Sequence, residues 1–238
     1  MRDLQKNIIV IIPCYNEGER LKNSLEHFRD CPYRLIFVND GSSDNTREFL
    51  EANIHAPDRV LSLDKNSGKA EAVRRGMLYL MSLQEYEEVQ WAAFWDADLA
   101  TPVSELADFL DFAARNGGAD AVYGSRIMRL GSNIKRNFSR HVLGRLYCTL
   151  ISALFGIKCY DTQCGAKVFR KSTLEQAFLE PFISRWVFDV EIILRLNAFK
   201  QLECPVKKWE DVKGSKIAPL KAFASVAFDI LKIRRKYR

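Results

Sequence analysis

The sequence predicts an α/β fold, a Rossmann-like, mostly parallel sheet flanked by helices, and three observations carry that expectation. Apolar β-branched runs alternate with helix-spaced segments, the runs are apolar on both faces, and the polar and acidic clusters fall just after the runs. Strands that alternate with helices pair in parallel, because a right-handed crossover is the short way to lay them side by side. Ligands then sit beyond the carboxyl ends of the strands, where the polar clusters would converge.

Residues 8 to 12, IIVII, form the first run; PCYNEGE turns, and Leu21, Leu25 and Phe28 follow at helical spacing. LIFVND (35 to 40) with GSSDNT leads into REFLEA. RVLSL (59 to 63) with DKNSG leads into KAEAVRRGMLYLM, and WAAFW (91 to 95) with DADLATP leads into VSELADFLDFAAR. AVYGSR (121 to 126) is expected to add a fifth strand end. After Arg126 come a basic, apolar-poor loop, MRLGSNIKRNFSRH, an apolar helix VLGRLYCTLISALF, the polar stretch CYDTQCGAK and a helix around RWVFDVEIILRL. No Gly, Ser or Pro-rich linker separates the halves, so residues 1–216 are expected to form one domain, with 217–238 a basic amphipathic C-terminal helix.

With 238 residues, 47% of them apolar, the chain can bury a substantial core. Its longest apolar runs are far below the roughly 18 residues a membrane span needs, and no signal-peptide hydrophobic region opens it, so the expectation is a cytosolic protein. Six cysteines (14, 31, 148, 159, 164, 204) without a CxxC pair and three scattered histidines argue against zinc and for reduced packing thiols. The net charge of +6 is concentrated at the end: residues 213 to 238 hold eight Lys/Arg against Asp229, leaving the rest of the chain near neutral. No nucleic-acid partner is expected.

The chemistry starts at DADLATP. Alternation at a strand end would aim Asp96 and Asp98 to one side with Ala97 opposite, and two such carboxylates are a seat for a hard divalent cation that bridges phosphate oxygens. The plainer reading makes Asp98 a cap for the helix that Pro102 begins. Asp40 at a strand tip suits a nucleobase or ribose, although NDGSSDN is also an ordinary turn with Ser42 or Ser43 as helix cap. Ser67 and Gly68 at a helix start, with Lys69 in its first turn, suit a phosphate or base without forming a P-loop. Pro13, Tyr15 and Glu17 offer a ring and an acid.

PCYNE, VNDGSSD, NSGKAEAVRRG and DADLATP in this order resemble glycosyltransferase family 2, the inverting enzymes of A-type glycosyltransferase fold that use nucleotide sugars. GSR (124 to 126), DTQCGAKVF (161 to 169), RWVFDVEI (185 to 192) and WEDVKGSK (209 to 216) resemble its dolichyl-phosphate glucosyltransferase branch, related to the polyprenyl-phosphate mannose synthases. The resemblance implies that residues 1–216 are a catalytic domain in which Pro13, Tyr15, Glu17, Asp40 and Lys69 hold the nucleotide of a sugar donor. It implies Mg2+ or Mn2+ on Asp96 and Asp98, and a polyprenyl phosphate gripped by Arg126, Arg136 and Arg140. Gln163, Asp189 and Glu191 would line the sugar pocket, although the two acids read equally as helix-surface residues, and Lys213 and Lys216 would close over the diphosphate. Ala100 stands where mannose synthases have Gln, which favours UDP-glucose over GDP-mannose as donor.

The tail fits such an acceptor. Leu220, Phe223, Ala227, Ile230 and Leu231 are expected on one helical face with Lys221, Lys232, Arg235 and Lys236 beside it, suited to peripheral contact at the cytosolic face of a membrane, with a membrane-protein partner open. The plainer reading is a helix docked on the core. A noncatalytic nucleotide-binding module is the alternative of another class.

Overall fold

The computed structural model describes residues 7–135, 138–210 and 220–237, with side chains omitted at 138–140 and 220–225. Its first half follows the expected alternation: β1 (Ile8–Cys14), α1 (Gly18–Arg29), β2 (Arg34–Asn39), α2 (Thr46–Asn53), β3 (Arg59–Ser62), α3 (Lys69–Ser82), β4 (Trp91–Trp95), α4 (Leu106–Arg115) and β5 (Ala121–Ser125). The second half adds β6 (Asn133–Lys135), α5 (Phe138–Phe155), β7 (Ala166–Arg170), α6 (Leu174–Phe178), α7 (Phe188–Arg195), β8 (Gln201–Pro205), β9 (Lys208–Glu210) and α8 (Leu220–Lys236).

Seven strands form one sheet in the order β3-β2-β1-β4-β7-β5-β8, and β6 pairs with β9 in a separate ribbon. All pairs in the large sheet are parallel except those of β7, which runs antiparallel to β4 and β5. The end of the polar stretch CYDTQCGAK belongs to β7, within the sheet, and the basic segment MRLGSNIKRNFSRH, expected as a loop, contains β6 and the start of α5.

Period-two alternation divides each central strand between two apolar layers. Ile8, Val10 and Ile12 of β1, with Leu35 and Phe37 of β2, pack with Phe28 of α1, Leu50 of α2 and Phe109 of α4. Ile9 and Ile11, with Ile36 and Val38, pack on the other side with Met77 of α3, Phe178 of α6 and Phe188 of α7. Fully burying each such side chain contributes about 1.5–3 kcal/mol, so the sheet is held from both faces. Helix α3 lies especially close: a Cβ on Gly76 would meet Ile11 Cγ2 at 2.4 Å. That proximity places the first turn of α3, and Lys69 with it, against the ends of β1 and β2.

Helix α8 docks through Ile230 and Ile233, which join Ile151 of α5 and Val187 and Val190 in a third apolar cluster. The expected apolar face is therefore corrected in part. Ile230 faces inward, whereas Ala227 and Leu231 are exposed; the side chains of Leu220 and Phe223 lie outside the described residues.

Candidate active site

The carboxyl ends of β1, β2 and β4 and the start of α3 enclose a cleft of about 540 Å³ bordered by Pro13, Tyr15, Glu17, Asp40, Lys69, Asp96 and Asp98. Seven residues proposed from the sequence thus meet in one place. Arg20, Arg185 and Trp186 also border it, and the sequence reading assigned none of them.

Asp96 and Asp98 reach the cleft by a turn rather than by strand alternation. Strand β4 ends at Trp95, the Leu99 N–H donates to the Asp96 carbonyl at 3.2 Å, and Leu99 adopts a left-handed φ of 52°. For a branched side chain that conformation costs about 1–2 kcal/mol, strain of the kind that clusters at functional sites. It lets the Ala100 N–H donate to Asp98 Oδ1 at 3.0 Å, so Asp98 closes its own turn instead of capping the helix, whose 3-10 start at Val103 follows Pro102.

Asp96 is fixed from two sides. Its N–H donates to the Gly165 carbonyl at 3.1 Å, and its carboxylate lies where a Cβ on Gly165 would fall, 1.8 Å from Oδ2. Lys69 Nζ sits 2.5 Å from Asp96 Oδ1. Burial works to lower the Lys69 pKa, but Asp96, Asp189 and Asp98 outweigh it and hold the ammonium above its ordinary value. Burial and the neighbouring Asp96 charge push the Asp98 carboxyl up, against a smaller pull from the Ala100 N–H and Lys69. A cation already rests on these acids in the form of Lys69. Two carboxylates on a solvent-open cleft suit Mg2+ or Mn2+, which keeps several waters and takes phosphate oxygens for the remainder.

Asp40 is nearly fully buried and accepts from the Ser67 and Gly68 N–H groups at 2.8 and 2.7 Å. Burial raises its pKa and these two bonds offset part of the rise. Its carboxylate therefore anchors the start of α3 as well as bordering the cleft. PCYNE is zipped to GSSDNT: Asn16, at φ 54°, bonds Ser42 and Ser43, the Glu17 N–H donates to Thr46 Oγ1, and the Gly18 N–H to Asp44. The two serines thus tie loops together rather than capping α2. Glu17 pairs with Arg20 at 2.5 Å.

A second cavity, of about 240 Å³, is lined by Arg126, Gly144, Arg145, Tyr147, Asp161 and Gln163, with Cys148 and Tyr160. Gln163 lies here and not in the first cleft, and its buried Nε2 has no hydrogen-bond partner among the described residues. Arg126 donates from Nε and Nη2 to the two oxygens of Asp161 at 2.6 and 2.7 Å. Burial alone would lower the Arg126 pKa; Asp161 reverses that, and the charge of Asp96 adds to the effect, so the two cavities are electrostatic neighbours. Asp161 and Arg145, whose guanidinium stacks 3.5 Å from the Tyr160 ring centroid, went unassigned in the sequence.

Asp189 and Glu191 are not among the residues that border this cleft. Asp189 pairs at 2.6 Å with Lys167, a fully buried lysine at the second position of β7. Glu191 is fully buried, accepts from the Ile183 and Ser184 N–H groups and pairs with Arg195 at 3.6 Å. It thereby holds the loop that presents Arg185 and Trp186. Arg136, Lys213, Lys216 and the side chain of Arg140 lie outside the described residues.

A largely parallel sheet that gathers an Asp-x-Asp turn, a helix-start lysine and an arginine-lined cavity at one edge defines a glycosyltransferase of the A-type fold. The chain belongs to glycosyl transferase family 2, whose profile matches residues 9–178. It is 32% identical to the dolichyl-phosphate beta-glucosyltransferase of Dictyostelium discoideum over 96% of this chain and 74% of that protein. The human protein of the same name is 30% identical over 98% of this chain and 76% of its own. Among solved structures, glucosyl-3-phosphoglycerate synthase from Mycobacterium tuberculosis with UDP superposes at a TM-score of 0.64 with 18% identity, covering 98% of this chain and 82% of that one. The same enzyme with Mn2+, UDP and phosphoglyceric acid gives 0.65 at 17% identity over 98% and 78%. At these identities the structural match speaks for the fold.

Proposed function

We propose that this glycosyltransferase moves glucose from UDP-glucose to dolichyl or another polyprenyl phosphate, with inversion, at the cytosolic face of a membrane. The observation that carries the reading is the pairing of an acidic cleft with an arginine-lined cavity, joined where Asp96 of the first bonds Gly165, two residues along from Gln163 of the second. The names of the relatives supply the lipid phosphate and the glucose.

The donor would occupy the cleft, with Pro13, Tyr15, Glu17 and Asp40 around its nucleoside and Asp96 and Asp98 beneath its diphosphate. A divalent ion on those carboxylates would neutralise charge on the leaving diphosphate. Lys69, now on Asp96, is placed to transfer its charge to the same oxygens, with Lys213 and Lys216 as further cationic candidates. A phosphate acceptor is anionic near neutral pH and needs no strong general base, in contrast to a hydroxyl. Arg126, held in a fixed plane by Asp161, together with Arg136 and Arg140, would orient that phosphate; Gln163 beside it would contact phosphate or sugar. Attack from the face opposite the leaving diphosphate would give a β-linked product from an α-linked donor.

The test is incubation of the full chain with a panel of nucleotide sugars, short polyprenyl phosphates and Mn2+, followed by mass analysis of the lipid. Hexose addition from UDP-glucose is expected. Transfer from GDP-mannose alone would overturn the donor assignment, and transfer only to hydroxyl acceptors would overturn the lipid phosphate.

A further inference from the structure

Asp229 is the one acid among the eight Lys/Arg of residues 213–238, and it faces the fold rather than those cations. From α8, its Oδ2 accepts the Ser184 hydroxyl at 2.8 Å, and the same hydroxyl oxygen accepts the Trp186 and Val187 N–H groups at 3.3 and 3.1 Å. A serine hydroxyl has one proton and two lone pairs, and the buried Ser184 uses all three. Asp229 thereby fixes where the proton points and leaves both lone pairs to the backbone of residues 186 and 187. Without that acceptor the buried proton stays unbonded or turns into the space of one of the two N–H groups, and either outcome loosens the turn.

The C-terminal segment reaches the same loop a second time. The Tyr237 hydroxyl accepts from Arg195 Nε at 2.9 Å, and the other nitrogens of Arg195 donate to the Ala177, Glu180 and Pro181 carbonyls, each at 2.8 Å. Asp229 and Tyr237 therefore bracket residues 180–187, the loop that ends at the cleft. There Arg185 donates to Asn66 Oδ1 at 2.7 Å, and its Nε lies 2.5 Å from where a Cβ on Gly68 would fall. Burial raises the Asp40 pKa and the charge of Arg185 works against that rise, which puts this guanidinium at the Asp40 end of the cleft. Trp186, 52% exposed, borders the cleft beside it. A flat indole face next to a guanidinium is suited to a nucleotide, the ring stacking on base or ribose and the cation facing its oxygens.

We propose that Arg185 and Trp186 form a wall of the nucleotide site and that Asp229 is the positioning residue that holds this wall, acting through Ser184. The proposal rests on the reading of the cleft as the site of a nucleotide-sugar donor and deepens it, because the cleft is then complete only with α8 in place. Ile230 and Ile233 of α8 also pack with Ile151 of α5, the helix whose Tyr147 and Cys148 line the second cavity. One C-terminal helix thus braces the donor cleft by hydrogen bonds and the arginine-lined cavity by apolar packing.

The experiment is calorimetric titration of the full chain with UDP in the presence of Mn2+, beside amide hydrogen exchange of residues 183–187 in the ligand-free protein. Asp229→Ala is expected to raise the UDP Kd about three- to tenfold and to speed exchange at Trp186 and Val187. Asp229→Asn keeps an acceptor oxygen for Ser184 and is expected to restore both. Trp186→Ala is expected to weaken UDP binding about tenfold, and adding Asp229→Ala to cost little more, because the wall through which the acid acts is then gone. Ile233→Val loosens the docking of α8 without touching the hydrogen bond, and is expected to lower the thermal midpoint with an unchanged Kd. Fully additive losses in the double variant overturn the proposal. So does an equal loss of affinity in Ile233→Val, and so do wild-type exchange and affinity in Asp229→Ala. A wild type that binds no UDP overturns the nucleotide reading and the purpose of the wall with it; that failure is told apart from a failed positioning role by the exchange, which needs no ligand.

Discussion

Gly165→Ala tests whether the first acid of the Asp-x-Asp turn is held by the absence of a side chain opposite it. The added Cβ would lie 1.8 Å from Asp96 Oδ2, 2.3 Å from Cγ and 2.7 Å from Oδ1. Ordinary contact needs about 3.5 Å, so the nearer carboxylate oxygen must retreat by about 1.7 Å. The backbone cannot take up that shift freely, because the Asp96 N–H is bonded to the Gly165 carbonyl at 3.1 Å and Ala166 pairs with Trp95 in the ladder. The side chain must turn instead, off its rotamer and away from Lys69, for a total of about 1–3 kcal/mol of stability. A displacement of this size at a reacting constellation lowers rate by about 100-fold. Calorimetric titration of UDP with and without Mn2+, beside thermal denaturation, is the assay. The expected result is a lower midpoint, native circular dichroism and loss of most of the metal-dependent increment in UDP affinity. Wild-type metal-dependent UDP affinity together with an unchanged midpoint would refute the argument, because Asp96 could not then be resting on Gly165.

Two further outcomes follow from the buried charges. The Asp98 carboxyl is raised above its ordinary value, so the folded metal-free protein binds its proton more tightly than the unfolded chain. That contribution favours folding at acid pH and is lost as pH rises through the ordinary carboxylate range to the raised pKa. Asp98→Asn should therefore raise the metal-free thermal midpoint at neutral pH while abolishing the gain from Mn2+; a metal-free midpoint that falls would contradict the repulsion with Asp96. Lys167→Met leaves Asp189 buried without its partner and should destabilise by about 3–5 kcal/mol in urea unfolding, with Lys167→Met and Asp189→Leu together restoring most of it. Additive losses in the double variant would show that the pair does not act as one unit.

The parts of the fold legible in the sequence were those whose strands are apolar on both faces. IIVII, LIFVND and WAAFW are such runs, and each ends in a polar cluster at the ligand edge of the sheet. AKVFR was not legible as a strand, because Lys167 contradicts a buried position until Asp189 of α7 is seen beside it. The same limit hid Asp161, whose partner Arg126 lies 35 residues away, and made Glu191 look available when it is closed on the Ile183 and Ser184 N–H groups. Asp96 and Asp98 were found for a partly mistaken reason: residue type and position after β4 pointed to the cleft, but the left-handed Leu99 turn, invisible to period-two alternation, aims them. Arg185 and Trp186 stood in a quoted motif without a role, since only the packing of the 183–186 loop brings them to the cleft.

These observations join in one chain of interacting charges. Asp98 neighbours Asp96, Asp96 pairs with Lys69, Lys69 feels Asp189, and Asp189 pairs with Lys167. Three acids against two lysines leave the group one negative charge from balance. Buried charge is tolerated best near neutrality. A divalent ion alone would carry the group to the positive side and a diphosphate alone would make it more negative; the two together leave it near its starting charge. Metal and nucleotide binding should then reinforce each other equally in both directions, because linkage is reciprocal. Lys69 is the element that adjusts: the ion competes for its place on Asp96, and the diphosphate gives the displaced ammonium a new partner. Lys167 is the element that does not, since its pairing with Asp189 limits how strongly that acid draws Lys69 inward. Removing Lys167 should thus weaken the metal-dependent increment in UDP affinity even where the variant stays folded, by biasing Lys69 toward Asp189 and away from the diphosphate.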